Sequence, residues 1–271
     1  MLLFSEGDYK KVFGGNHYWW AGLLVFIFFA AITLTIYLLR NRPDISYAIA
    51  YSIACFLLIY KIGEYIYWQA IGMHMKFPVE FSALSYFLFG VTVVFRLKKI
   101  DQFPVFASIL AGIAYSVVFW FSPDSCVESR DSTFLLIMAV LNHHMLYFGG
   151  MLMLVNVRTY NRKYFWQHFV GSGLIVGYSW IIYSFTPYAE QIGKPIIIKI
   201  TDSSILYYLT GGNPLQTWHS VLYYIGCVIV FCAFMVGFYF LNARCAKKRK
   251  INSLPEDYFP SQIKDIYKQN V

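Results

Sequence analysis

Seven long apolar runs constrain this chain more than any other feature of it. They lie near Tyr18 to Leu39, Tyr47 to Trp68, Pro78 to Phe95, Phe103 to Phe121, Phe134 to Val155, Phe165 to Phe185 and Trp218 to Leu241. Each is close to the ~20 residues that, at ~1.5 Å per residue, cover ~30 Å of hydrocarbon. A backbone in lipid has to satisfy its own hydrogen bonds, and runs of this length do so as helices. The expected fold class is therefore all-α, a polytopic membrane bundle of seven transmembrane helices. Only 13% of the 271 residues are charged, about half the share in an average soluble domain. The sequence contains no internal repeat and no low-complexity tract, so residues 1–271 read as one membrane domain with a tail over 243–271.

The net charge of +8 would suit nucleic acid, but its distribution along the chain argues for membrane orientation and no nucleic-acid partner. Arg40 and Arg42 follow run one, Arg96, Lys98 and Lys99 run three, Arg158, Arg162 and Lys163 run five, and Arg244 to Lys250 run seven. The intervening segments are poor in Lys and Arg and carry Glu6, Asp8, Asp124, Glu128, Asp131, Glu190 and Asp202. The positive-inside rule then places the N-terminus outside and the C-terminus inside a multi-pass cell-membrane protein, with a cytoplasmic tail touching membrane lipid. Run one is longer than a signal-peptide core and lacks a small-residue cleavage site, so an uncleaved span is expected. The five cysteines form no CxxC pattern, and no cofactor motif is present.

Polar residues inside apolar spans mark candidate sites, because each is unfavourable in hydrocarbon unless paired or hydrated. Span five carries Asn142, His143 and His144 near the expected midplane. Adjacent helical residues diverge by ~100°, so one imidazole of the pair faces a given site and the other is expected to bond a carbonyl on an adjacent helix. The HH spacing also lacks the i, i+4 step that puts two metal ligands on one face, so no metal site is expected. Lys61 and Glu64 share a face of span two. Glu80 and Ser82 open span three, Tyr178 lies in the outer half of span six, and His17 and His219 stand at the outer mouths of spans one and seven. Under the expected topology all of these belong to the midplane or the outer half, which implies an outward-opening polar cavity. The segment between spans six and seven, rich in Ile, Leu and Tyr, is expected to lie on the membrane surface or to cap the bundle mouth. GxxxG at Gly173 and Gly177, and the pair Gly149 and Gly150, read as close helix-packing positions.

The order FGGNHYW, KIGEYIYW, FPVEFSALSYFL, LNHHMLYFGGMLML and SILYYLTGGNPLQTWHSVLYYI resembles the YwaF-like seven-span integral membrane proteins over most of the chain. That group is similar to multispan enzymes that transfer or hydrolyse lipid acyl groups with a Cys or Thr and a His. The resemblance implies a lipid substrate, with Ser82 at the nucleophile position, Glu80 at a motif His position, and His144 or else His143 as base. A serine, unlike a cysteine, needs that base to become nucleophilic. The residues themselves equally admit a transporter or solute-binding membrane protein built on Lys61, Glu64, Glu80 and the histidines, or a noncatalytic membrane scaffold. The absence of a repeat argues against the transporter.

Overall fold

The computed structural model describes residues 18–74, 76–121, 123–128, 133–213 and 216–250; His17 and the tail beyond residue 250 lie outside them. The described residues contain helices and no strand. In chain order these are α1 (Trp19–Leu38), α2 (Pro43–Ala70), α3 (Phe81–Val94), α4 (Gln102–Phe121), α5 (Pro123–Glu128), α6 (Thr133–Met151), α7 (Trp166–Phe185), α8 (Tyr188–Gln191), α9 (Ile196–Thr201), α10 (Ser204–Leu209) and α11 (Thr217–Lys250). A helix falls on each of the seven apolar runs. Five of them, α1, α2, α4, α6 and α11, are long and apolar enough to cross a membrane. At 14 residues α3 reaches only about 21 Å, and α7 has the length but is interrupted by Gln167, His168, Ser172 and Ser179.

Local chemistry sets the ends of these helices. Pro43 occupies the first turn of α2, where its missing N–H is no loss, with Asp44 beside it. Beyond Ala70, Gly72 turns the chain at φ 84°, a conformation that a side chain disfavours. α6 continues into a π-helical turn over Leu152–Val157, which releases carbonyls from the α-helical register. Buried asparagines answer for them: Asn242 Nδ2 donates to the carbonyls of Leu154 (2.7 Å) and Arg158 (2.8 Å), and its Oδ1 accepts from Tyr160 N (2.9 Å). Asn156 Nδ2 donates to Ile36 O and Ser46 Oγ, both at 3.1 Å. α1, α2, α6 and α11 are thus tied together at one end of the bundle.

α4 is the centre of the bundle: 61% of its most apolar stretch is buried, against 11% for α11. It lies so close to α6 that a Cβ added at Gly112 would stand 2.6 Å from Tyr147 Cβ and 2.7 Å from His143 O, and one at Gly150 would meet Val105 O at 3.2 Å. The expected close approach at Gly150 is therefore present, and Gly149 lies equally tight against Phe89 and Ile53. Gly173 and Gly177 differ: a Cβ at either meets nothing within 4 Å, so their GxxxG face is not a packing contact within this chain. Outward faces are strongly apolar, as in Leu23, Leu24, Phe26 and Ile27 of α1 and Val228, Ile229 and Val230 of α11. Faces of that extent are liabilities in water and ordinary in lipid.

Candidate functional site

α2 begins the site. Lys61 Nζ and Glu64 Oε2 pair at 2.5 Å across one helical turn, both half-buried. The ammonium also stands over the Tyr86 ring of α3, 4.6 Å from its centroid, and 5.5 Å from that of Tyr60. Such cation–π contacts strengthen where water is excluded. The edge of the Tyr86 ring meets His143 of α6 at 5.7 Å, and His143 stacks on Tyr115 of α4 at 3.9 Å with 10° between the planes. Four helices therefore deliver one continuous cluster, Glu64, Lys61, Tyr86, His143 and Tyr115.

The two histidines of α6 have separate fates. The carbonyl bond expected across to an adjacent helix is made within α6 instead: each reaches through Nδ1 to the carbonyl four residues back, His143 to Ala139 and His144 to Val140, both at 2.7 Å. A carbonyl can only accept, so the Nδ1 of each carries a proton, and Nε2 is the nitrogen left to face the neighbouring helices. In His144 that nitrogen meets Ser116 Oγ of α4 at 3.3 Å. The single hydroxyl proton of Ser116 serves either this nitrogen or the Gly112 carbonyl at 2.9 Å. Both residues are fully buried, and His144 is flanked by Phe28 and Phe29 of α1. His144 is thus locked between α1 and α4, whereas His143 faces the cluster.

Glu80 is the N-cap residue of α3. Both of its carboxylate oxygens accept from Ile196 N of α9, at 3.3 and 3.2 Å. Ser179 Oγ of α7 donates to Val79 O at 3.0 Å, and Thr201 accepts from Trp180 Nε1 at its hydroxyl and from Tyr224 at its carbonyl. The apolar segment between α7 and α11 is folded onto the ends of α3, α7 and α11, in agreement with the expected cap. Within it Lys199 is buried; that burial pulls its ammonium below the ordinary lysine range, with Glu80 acting against the shift. The hydroxyl of Tyr65, one residue beyond Glu64, is within electrostatic reach of Tyr178, Tyr188 and Glu80. A polar ridge accordingly runs from the cap down to His143.

Lys61, Glu64, Tyr178, Glu80 and His143 lie along this ridge. Ser82 is half-buried in the first turn of α3, one turn from Tyr86 and on the same face. Among the described residues no hydrogen bond joins it to either imidazole. His219 is elsewhere: its Nδ1 accepts from Gln216 N at 3.4 Å and its ring lies 3.7 Å from Trp218 at the start of α11. Tyr60, Tyr65, Tyr86 and Tyr115 were not singled out from the sequence; their spacing from Lys61 and Glu64 could have flagged the first two. His168 is fully buried among the rings of Phe103, Phe106, Phe165 and Phe238, because the start of α7 packs against that of α4. No group of three or more His, Cys, Asp or Glu is placed to hold a metal ion among the described residues. No family model matches the chain, and no solved structure matches it.

Proposed function

We propose that this chain is a seven-span integral membrane protein of the YwaF-like kind, with its N-terminus outside and C-terminus in the cytoplasm, whose outer half binds a zwitterion. The observation that carries this reading is the Lys61–Glu64 pair set against Tyr60, Tyr86 and the His143–Tyr115 stack. One cation and one carboxylate, already partnered, neutralise each other in the membrane. They can exchange that contact for the acid and the amine of a ligand without leaving a lone charge. The tyrosine faces suit the ligand's ammonium, and the Lys61 ammonium suits its carboxylate or phosphate. The segment anchored by Glu80 lies at the outer end of this site.

Two sources supply such chemistry, a free solute and a phospholipid headgroup. The test melts the purified protein with glycine betaine, an amino-acid panel, glycerophosphoethanolamine and short-chain phosphatidylethanolamine, in wild type and in the Lys61→Met, Glu64→Gln double variant. At a hundredfold excess over Kd a ligand adds about 2.7 kcal/mol, which raises Tm by roughly 5–10 °C for a chain of this size. A rise confined to wild type supports the site; no rise with any zwitterion, or an equal rise in the double variant, refutes it. Stabilisation by the free solutes points to transport or solute sensing, and stabilisation by the lipid alone points to lipid chemistry.

The lipid acyl reading has Ser82 and His143 on the same side of the site with the Tyr86 ring between them. It assigns the base to His143, since His144 is buried between Phe28 and Phe29 of α1 and Ser116 of α4. Release or transfer of a labelled acyl chain that is lost in both Ser82→Ala and His143→Ala supports it. Turnover unchanged in either variant removes it.

A further inference from the structure

α11 touches the bundle unevenly. No residue between 217 and 234 is buried, whereas Met235, Phe238, Asn242 and Ala246 are, against the π-helical end of α6. Between α11 and the α4–α6 pair lies a cleft of about 420 Å3, walled by residues such as Leu110, Ile113, Met151, Ala233, Phe234 and Gly237. That volume falls within the range of ligand sites, roughly 300–1,000 Å3. Its one polar side chain, Tyr147, already has its hydroxyl 3.0 Å from Thr33 Oγ1, so nothing in the wall asks for a polar ligand.

Lipid tails are as apolar as this wall, so the wall alone gives no preference for one lipid over another. Selectivity has to come from the rim. The side of α11 that carries Gly237 and Leu241 into the cleft continues past the cleft to Arg244 and Lys248, which stand on the same helical face. Both are exposed. The chain from Arg158 to Phe185 and from Thr217 to Lys250 contains no Asp or Glu to offset them. We infer that this cleft seats the acyl chain of an anionic phospholipid whose phosphate meets Arg244 and Lys248. The inference is independent of the zwitterion site, which uses other residues.

The test equilibrates the detergent-purified chain with an equimolar mixture of phosphatidylglycerol and phosphatidylcholine of identical tails and counts retained lipid by native mass spectrometry. Wild type is expected to hold phosphatidylglycerol in preference. Gly237→Leu projects a side chain into the cleft, where an added Cβ meets nothing within 4 Å, and is expected to lose both lipids while melting like wild type. Arg244→Gln and Lys248→Gln, made separately, should each keep a bound lipid but reduce the preference by about fivefold. Equal retention of the two lipids by wild type, retention unchanged in Gly237→Leu, or a second copy of the chain held in place of lipid, would each overturn the assignment.

Discussion

Replacing Gly112 by alanine tests whether the α4–α6 contact positions the site. The new Cβ would lie 2.6 Å from Tyr147 Cβ, 2.7 Å from His143 O and 3.0 Å from Tyr147 N, where ordinary contact begins near 3.4 Å. None of these atoms belongs to the far end of a flexible side chain, so relief requires the two helices to part by roughly 0.7 Å. Overpacking of this kind costs about 1–3 kcal/mol, and backbone involvement puts Gly112→Ala near the upper end. For a chain of this length that is a fall in Tm of roughly 5–10 °C. The displaced atom is the carbonyl of His143 itself, so the stack on Tyr115 loosens with it. Gly177→Ala is the matched control: its Cβ meets nothing within 4 Å, and relief of glycine's backbone entropy makes it neutral or stabilising by up to about 1 kcal/mol. Both are measured by thermal melting in one detergent. If Gly112→Ala melts with wild type while Gly177→Ala falls, the packing described for α4, α6 and α7 is wrong.

Other consequences follow from single contacts. Asn242→Ala removes the partners of two carbonyls and one N–H at the π-helical turn and should lower stability by about 3–5 kcal/mol, seen as a loss of folded, monodisperse protein on size-exclusion chromatography. Glu80→Ala deprives Ile196 N of its acceptor, and hydrogen exchange over residues 196–201 should quicken by about tenfold while that of α4 stays unchanged. Asp101, just before α4, pairs with Arg158 Nε at 2.8 Å, yet its burial outweighs the arginine and raises the carboxyl to about 6. An unfolded aspartate titrates near ~3.9, so the folded state retains a proton that the unfolded state releases between those values. That contribution is complete below about pH 4 and is lost as pH rises through about 6, amounting to roughly 3 kcal/mol. Asp101→Asn should remove that slope from a pH series of melts.

The helices were legible because apolar length alone dictates them in lipid, and the cap between α7 and α11 was legible because its Ile and Tyr content cannot be left in water. What depended on which face a residue presents was not. One turn of helix shows that His143 and His144 diverge, but only the position of α4 reveals that Ser116 takes one and Tyr115 the other. The GxxxG of α7 states that two glycines share a face and is silent on whether that face meets a neighbour. His168 reads as a boundary residue until the start of α7 is placed against that of α4. The tyrosines escaped notice because aromatic residues are spread throughout the chain, and nothing local separates those around Lys61 from those against lipid. Ser82 was placed beside a histidine by resemblance, whereas in the fold the Tyr86 ring stands on its face one turn nearer His143.

The most direct test of an outward-opening polar site is thiol labelling in intact cells, in a chain whose five native cysteines are replaced by serine. Glu64→Cys should react with a membrane-impermeant maleimide added outside, and Lys247→Cys should react only after the cells are opened. Glu64→Cys that stays unlabelled until the membrane is breached, or Lys247→Cys that labels from outside, would contradict the account.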